Sequence, residues 1–481
     1  MSSIALSIHA EMRQTGDVPR DWRDDRILEL EALVSKLVTQ VEKLTARVQE
    51  LEEQLGSSSR NSSKPPSSDP PTVTRDKKPP TGRKPGGQPG HKRHHRELFP
   101  PDKLRSITDC KPARCGHCQH RLRGEDPEPI RHQVADLPKV EPIVDEYRLH
   151  ALTCPHCGAQ TRGELPDGVP TGSFGPTVVA VIALLLGVYG VSRRDVTELM
   201  RDLFGLPISL GGVVGCQKTA ADSLAPAHAQ AQAQVPRARV KYADETGWKL
   251  GNVYACLWVV VTASVTVFRV QAERSREAAK TALGKVGGLL GSDRYSAYAY
   301  WPVRKHQFCW AHLSRLFVRF TERSDPKAIA VGHALILAKD EMFGWWHRVR
   351  DGTLTHSTFR RYMRPLQDRV AGVLQEGMRS SCAKTRRTCE RLSKNTAALW
   401  TFVRYEGIEP TNNPGERAIR RAVIIRKTSF GSQSDHGCRF LERLLTVHAT
   451  LRQRGSSVHD FIVAACRAHM LGDAPPSLLA A

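Results

Sequence analysis

The chain lacks a long apolar run, a secretion signal and a disulfide-rich composition. Its longest apolar run, Val178 to Gly190, is shorter than the roughly 20 residues that span a bilayer, so we expect a buried helix and no membrane partner. The N-terminus has no basic stretch followed by a long apolar one, which argues against secretion. Twelve cysteines in 481 residues are too sparse for a disulfide scaffold, and this predicts a reduced, cytoplasmic protein.

Acidic residues are also in short supply. The chain has 49 Asp and Glu residues and 71 Lys and Arg residues, which gives a formal net charge of +22. A charge of this sign and size makes a polyanion such as nucleic acid the expected partner. At about 100–200 residues per domain, the length indicates several folded units.

A heptad array occupies residues 22–56, the first predicted unit. Apolar residues recur there with spacings of three and four, with β-branched residues mainly at the a positions and leucines at d. This pattern predicts a parallel two-stranded coiled coil and therefore a homo-oligomer. The alternative is a single amphipathic helix lying on its own core. The array consists of Ile27, Leu30, Val34, Leu37, Val41, Leu44, Val48, Leu51 and Leu55.

The composition changes abruptly in residues 57–105. The stretch from Gly56 to Arg96 is rich in Ser, Pro and basic residues, and its ten Lys and Arg against two Asp give a net charge of +8. With almost nothing to bury, it should be a disordered tether that adds non-specific contacts to DNA phosphates. A merely solubilising linker is the alternative.

Two CxxC pairs define a predicted zinc-binding domain over residues 106–170. Four thiolates satisfy a tetrahedral Zn²⁺, so the pairs predict one structural zinc ion with no open position for chemistry. The long separation between the pairs leaves room for a hairpin sheet through residues 130–138 and 144–152. Buried reduced cysteines are the alternative. The proposed ligands are Cys115, Cys118, Cys154 and Cys157.

Residues 171–235 read as a helical DNA-binding domain. The apolar run is followed by Ser192 and Ser209, each placed as an N-cap before an amphipathic segment, with a Gly-Leu-Pro turn between the segments. Helix, glycine-containing turn and N-capped second helix are typical of a helix-turn-helix.

From residue 236 the apolar period becomes strand-like. Two β-branched, aromatic-rich runs follow "RVKYADETGW", then a helix begins near Ser275, then "GGLLGSDRYSAY" and "HQFCWAH" supply two short strands. We therefore expect three strands in a meander, followed by a helix, a strand, a helix and a strand. Asp244 lies on the first strand and Asp293 at the end of the fourth.

The ordered motifs "YADETGW", "GSDRYSAY", "CWAH" and "TNNPGERAIR" resemble those of transposases of the insertion sequence 66 family. The resemblance covers nearly the whole chain, including the heptads, the "NSSKPPSSD" linker and the CxxC pairs. It implies a multidomain α+β protein with an RNase H-like catalytic domain in two parts, 236–320 and 406–475. A helical insertion, 321–405, would separate the parts.

The resemblance also implies the catalytic acids, Asp244, Asp293 and Glu416. In an RNase H-like sheet the strands of the two aspartates are neighbours. Three carboxylates suit two Mg²⁺ (or Mn²⁺) ions, which activate one oxygen and stabilise another during phosphodiester cleavage and strand transfer. Asp244 would bridge both ions, while Asp293 and Glu416 would each hold one, and no histidine base is required.

The implied function is that of a bacterial insertion-sequence transposase working at the nucleoid. Its partners would be double-stranded DNA, both element ends and target, further copies of itself, and accessory proteins of the same element. Two rivals remain: a DNA-binding regulator derived from a transposase, and an RNase H-like nuclease that cuts without joining.

The sequence allows two roles for each of several residues near the acids. Glu416 could only close a capping box with Asn413 as N-cap, and Glu245 adds a carboxylate of open role. His312, in CxxH spacing with Cys309, either lies near the metals or only packs. A basic run around Glu416 either contacts DNA phosphates or forms a solvated face. That run consists of Arg417, Arg420, Arg421, Arg426 and Lys427.

Overall fold

The computed structural model describes residues 22–56, 58–62 and 97–480. The described chain divides into two compact units. One contains the described residues up to 62 together with 312–345 and 368–393, and the other contains 97–311, 346–367 and 394–480. Together they form a mixed α/β protein of many helices and a five-stranded sheet. Among the helices described, none combines the length and apolar content that crossing a bilayer requires.

The helices are numbered in chain order. They are α1 (Trp22–Leu55), α2 (Pro176–Gly187), α3 (Arg193–Phe204), α4 (Leu210–Ser223), α5 (Ala225–Gln234), α6 (Arg276–Leu283), α7 (Trp310–Thr321), α8 (Pro326–Arg350), α9 (His356–Gly377), α10 (Ala383–Lys394), α11 (Thr396–Leu399), α12 (Thr401–Arg404), α13 (Asn413–Ser429), α14 (Asp435–Gln453) and α15 (Val458–Leu471).

The strands form two sheets. They are β1 (Ala151–Thr153), β2 (Gln160–Arg162), β3 (Val240–Leu250), β4 (Val253–Val261), β5 (Thr266–Gln271), β6 (Leu289–Ser292) and β7 (His306–Phe308).

The heptad segment forms one continuous helix, α1, in the first unit. Its apolar positions face solvent: Leu37 is 50% exposed, Val41 60% and Leu44 65%. The apolar positions from Ile27 to Leu51 are exposed, which is what a pairing helix presents before it meets its partner. The coiled coil itself stays a prediction. The predicted linker, 57–105, lies mostly outside the described residues.

Within the first unit, α7 and α8 approach each other closely at Gly332. A Cβ atom on Gly332 would lie 2.9 Å from the backbone nitrogen of Thr321 and 3.0 Å from the carbonyl oxygen of Phe317. Any larger side chain would force the two helices apart. Near the end of α1, the buried Asn61 donates a 2.7 Å hydrogen bond to Glu322.

The second unit is built on the five-stranded sheet, in the order β5-β4-β3-β6-β7. Strands β3, β4 and β5 form the antiparallel meander expected from the sequence, while β6 and β7 run parallel to β3. The helix α6 lies between β5 and β6 in sequence and begins at Ser275, whose hydroxyl accepts from the N–H of Ala278.

The outer edge of the sheet is closed by side chains of α14. Along β5, the backbone N–H groups of Val270, Phe268 and Thr266 donate to Glu442, Thr446 and Thr450, respectively. The three acceptors recur every four residues on one helix face, and the three donors recur every second residue on the strand. The helix thus satisfies backbone groups that an open edge strand would leave unpaired.

Helices α2 to α5 share one hydrophobic core with the sheet and with α13, α14 and α15. The predicted N-caps are confirmed: the hydroxyls of Ser192 and Ser209 accept from the backbone of Asp195 and Gly212. The turn between α3 and α4 begins at Gly205, which adopts φ 61° as the C-cap of α3. The helix–turn–helix segment therefore packs on the sheet unit rather than on a core of its own.

The CxxC segment contains a hairpin in a different place from the one expected. Strands β1 and β2 pair on either side of the second CxxC pair, whereas residues 130–138 form no strand. The expectation of a hairpin through 130–138 and 144–152 is therefore wrong. The short strands form where the second CxxC turn brings the flanking backbone together, which alternation alone does not reveal.

Candidate active site

Asp244 and Asp293 lie at matching positions of neighbouring parallel strands. In the register of β3 and β6, Tyr242 pairs with Gly291, and each aspartate follows its paired residue by two positions. Because neighbouring strands lie about 4.8 Å apart, the two carboxylates leave the sheet side by side. Asp293 stands just beyond β6, where its Oδ1 accepts a 2.9 Å hydrogen bond from the N–H of Tyr295.

Glu416 lies on α13, which packs against β3 and β4. The side-chain nitrogen of the buried Asn412 donates to the carbonyl oxygen of Ala243 at 2.8 Å, which fixes the start of the helix beside the first aspartate. One turn before the helix ends, Arg426 Nη1 donates to Thr246 Oγ1 at 2.7 Å. These two contacts hold α13 over the face of β3 that carries the first aspartate.

Cys309 connects Glu416 to the strand that carries Asp293. Its N–H donates to the carbonyl oxygen of Ser292 at 2.9 Å, and its sulfur accepts from the N–H of Asn412 at 3.2 Å. The same sulfur lies 3.8 Å from Oε1 of Glu416. Cys309 is 1% exposed, so the segments that carry Asp293 and Glu416 meet at one buried side chain.

Burial and mutual repulsion oppose ionisation of the two aspartates. The pKa of Asp244 is raised well above its ordinary value, first by burial and then by the charges of Glu245 and Asp293, with a smaller contribution from Glu416. Burial also raises the pKa of Asp293, against the opposing effects of the Tyr295 N–H and of nearby arginines. A bound cation would relieve this repulsion.

The three acids are partly exposed, so an ion from solvent can reach them. Their oxygens do not form a group in which all ligand atoms lie within 4.8 Å of one another, a statement that covers the described residues only. With metal–oxygen distances of about 2.1 Å, one Mg²⁺ ion could not contact all three without side-chain movement. Two ions about 3.5–4 Å apart would span a wider set of carboxylates.

The capping alternative for Glu416 does not hold. The helix begins one residue earlier than expected, with Asn412 as its N-cap, and that side chain makes no capping hydrogen bond. Glu416 instead donates its own N–H to the carbonyl oxygen of Asn412 at 3.0 Å, as an interior residue of the first turn does. Its carboxylate is therefore not engaged in a capping box.

Glu245 points to the opposite face of β3 from Asp244, because strand side chains alternate. Its Oε1 accepts two hydrogen bonds from Arg274, at 2.6 and 3.2 Å. Its Oε2 accepts from the hydroxyl of Tyr298. Both oxygens are thus engaged by protein groups, and only 2% of the side chain is exposed.

The basic residues of α13 fall into two groups. Arg417, Arg420, Arg421 and Lys427 are exposed and follow one side of the helix, although Arg421 also donates to the carbonyl oxygen of Val188 at 2.7 Å. Arg426 instead faces the sheet, where it bonds β3. His312 lies in the first turn of α7 and belongs to the first unit.

Each CxxC pair closes its own turn. The N–H of Cys115 donates to the carbonyl oxygen of His120, and the N–H of Cys154 to that of Ala159, each at 2.8 Å. Hydrogen bonds from the backbone of the following residues lower the pKa of Cys115 and of Cys154. Between residues 97 and 170, no three of the ligand-type side chains lie within 4.8 Å of one another.

Sequence reasoning missed the roles of three residues of this site. Asn412 was seen only as part of a motif, although its buried amide positions α13. Arg274 and Tyr298 were not connected to Glu245, because they lie 29 and 53 positions away from it. Only the folded topology brings them together, and no local pattern could have indicated it.

A mixed sheet presents two aspartates, and a helix packed on it supplies a glutamate, so that the three form an acid-rich cluster. Residues 171–439, more than half of the chain, match the family model described as Transposase IS66 family. The chain therefore belongs to the IS66 transposase family, whose members are DNA-cleaving enzymes that bind DNA and generally use divalent metals. Residues 18–97 match a family of unknown function, DUF6444. A comparison with curated proteins finds no match.

Proposed function

We propose that this protein binds the ends of its insertion sequence and catalyses two-metal-ion phosphodiester cleavage and strand transfer in an RNase H-like domain. The observation that carries the proposal is the matched placement of Asp244 and Asp293 on neighbouring parallel strands, with Glu416 fastened beside them through Asn412 and Cys309. The strand order supports the RNase H-like assignment, since the two aspartate strands are adjacent.

Asp244, Asp293 and Glu416 would hold the two Mg²⁺ or Mn²⁺ ions. When bound, such ions activate a water or 3′-hydroxyl oxygen and stabilise the leaving oxygen. The donor set fits, because carboxylate oxygens are the hard ligands that Mg²⁺ prefers. The raised pKa values of the two aspartates fit as well, since uncompensated carboxylates are crowded there.

The residues of the chain would position the DNA. The exposed basic side of α13 begins one residue after Glu416, so phosphates lying along it would be aligned with the acids. Arg417, Arg420 and Lys427 can reach phosphate there, whereas Arg426 is occupied in holding α13 to β3. The helix-turn-helix of α3 and α4 would add contacts to the element end.

The decisive experiment is strand transfer by Glu416→Gln on an element-end duplex with Mg²⁺. A neutral amide is a poor Mg²⁺ ligand, so cleavage and joining should be lost while folding and DNA binding persist. Asp244→Asn and Asp293→Asn should behave alike. Glu406→Gln, which changes another glutamate of the same unit, serves as a matched control.

Other products would point to other functions. Hydrolysed ends without joined DNA would identify a nuclease, and tight DNA binding with neither product in the wild type would identify a regulator. Near-wild-type joining by Glu416→Gln would remove Glu416 from the site and overturn the three-carboxylate mechanism.

Two further proposals concern assembly. We propose that α1 pairs with α1 of another copy as a coiled coil, and light scattering of Leu37→Pro/Leu44→Pro should then report a smaller mass. An unchanged mass would contradict the pairing.

We also propose that one structural Zn²⁺ is bound by the four cysteines Cys115, Cys118, Cys154 and Cys157, which would bring the two CxxC turns together. Metal analysis of the purified protein that finds no zinc would contradict this proposal. Accessory proteins of the element and the nucleoid remain the expected partners and location, to be tested by co-purification.

A further inference from the structure

Arg274 is held in a fixed orientation beside the acids. Its Nε and Nη2 both donate to Oε1 of Glu245, and the guanidinium carbon lies 4.0 Å from the centre of the Tyr295 ring. The Tyr295 hydroxyl donates in turn to the carbonyl oxygen of Arg274. An arginine that is stacked on one face and bonded along one edge has lost most of its freedom to move.

The remaining edge of this guanidinium is open. The described part of the chain supplies no hydrogen-bond acceptor to Nη1 of Arg274, and 44% of the side chain is exposed. Glu245, by contrast, is 2% exposed and also accepts from Tyr298. The buried carboxylate of Glu245 therefore orients the guanidinium of Arg274, whose remaining N–H donors are open to solvent.

The contacts of Arg274 place its guanidinium near Asp293. Although Glu245 points to the other face of β3 from Asp244, Tyr295, on which Arg274 stacks, donates its N–H to Asp293 at 2.9 Å. The positive charge of Arg274 is close enough to act on the pKa of Asp293, after burial and the Tyr295 N–H. The guanidinium thus lies at the border of the acid cluster.

Fold stability gives no sufficient reason for this arrangement. Burying a carboxylate beside an arginine gains little over packing apolar side chains of the same volume. The planar fork of arginine, however, matches the oxygens of a phosphate, and a pre-oriented fork loses little entropy when it binds one.

We propose that Arg274 binds a non-bridging oxygen of a backbone phosphate of the DNA strand held at the acids, with Glu245 and Tyr298 as positioning residues. This inference rests on the proposed function. It also assigns Glu245 a role outside the metal site, so that four neighbouring carboxylates divide into three metal ligands and one partner of Arg274.

The test is a coupling experiment on element-end duplexes that each carry one neutral methylphosphonate, placed in turn at the phosphates around the cleavage position. Affinity is measured with Ca²⁺, and cleavage with Mg²⁺. Losing a charged hydrogen bond should weaken binding by Arg274→Ala about 10- to 100-fold on natural DNA. On the duplex whose methylphosphonate replaces the contacted phosphate, Arg274→Ala should cause no further loss of affinity, because the contact is already absent.

Arg276→Ala is the matched control, because it removes the same charge from an exposed position two residues away. Its effect should be the same at every methylphosphonate position. Arg274→Lys keeps the charge without the fork, so it should retain part of the affinity and lose the position-specific coupling. It also replaces Arg274→Ala if that variant does not fold.

Glu245→Gln separates positioning from metal binding. If Glu245 only positions Arg274, Glu245→Gln should weaken the coupling between Arg274 and the one methylphosphonate position. The Mn²⁺ concentration that gives half-maximal cleavage should stay unchanged. A raised Mn²⁺ requirement would make Glu245 a metal ligand and overturn that part of the proposal. If the loss of affinity caused by Arg274→Ala simply adds to that caused by the methylphosphonate at every position, the proposed phosphate contact is wrong. An inactive wild type that still shows the coupling in Ca²⁺ would instead count against the proposed catalysis alone.

Discussion

Asp244 is the residue at which the stability of the fold and the proposed catalytic role conflict most. Its strand places it beside Asp293 and in front of Glu416, and burial together with these charges raises its pKa. An acid with a raised pKa in the folded state contributes stability that is fully present below its unfolded pKa. That contribution is lost as the pH rises through the folded pKa. Above the folded pKa, the ionised side chain therefore destabilises the metal-free protein.

We expect Asp244→Asn to stabilise the metal-free protein at pH 8 by an amount on the order of 1–3 kcal/mol, because asparagine cannot ionise. The gain should shrink towards pH 4, where the wild-type side chain is protonated. Urea unfolding in EDTA at the two pH values measures both effects. Mg²⁺ should stabilise the wild type and not the variant.

The exposed Asp460 provides the comparison. Hydrogen bonds from His459 and Ser457 lower its pKa, so Asp460→Asn should not stabilise the protein at pH 8. A less stable Asp244→Asn at that pH would show that the acids do not repel one another in the folded state.

Among the elements, α14 illustrates what a strand pattern leaves out. The alternation in "TVFRVQ" predicts a strand, and β5 is one, but it does not reveal that the strand lies at the sheet edge. The covering helix carries Glu442, Thr446 and Thr450 on its buried face. Polar residues repeated every four positions on the buried face of a helix are the sequence signal that the helix accepts hydrogen bonds from the edge strand of a sheet.

We expect Thr446→Val to destabilise the protein by about 1–3 kcal/mol, because it leaves the buried N–H of Phe268 without an acceptor. Valine has nearly the same shape, so packing hardly changes. Chemical denaturation measures the loss, and Thr446→Ser, which keeps the hydroxyl, should lose less. A Thr446→Val variant as stable as the wild type would mean that the hydrogen bond contributes nothing.

At the scale of the whole molecule, the sequence predicts the elements better than their partners. The meander and the capped helices α3 and α4 follow from the local period and the capping residues, whereas the neighbouring strands of Asp244 and Asp293 are what the family resemblance implies. The pairing of Glu245 with Arg274 follows from neither, because long-range contacts are set by topology. The shared core of α2 to α5 with the sheet was missed for a related reason: an apolar helix face does not indicate which element will cover it.

The distribution of charge over the whole chain leads to the last prediction. Of the net +22, the stretch from Gly56 to Arg96 carries +8, and the exposed side of α13 adds a second basic surface near the acids. Each phosphate contact contributes about −0.9 to the slope of log affinity against log salt concentration. Replacing the ten Lys and Arg of the stretch by Gln keeps its length and should make this slope less steep by several units on any duplex. Arg420→Gln, on α13, should change it by only about 1. Fluorescence anisotropy between 50 and 300 mM salt gives both slopes, and an unchanged slope in the ten-residue variant would show that this stretch does not contact phosphate, leaving α13 and the helix-turn-helix to account for the binding.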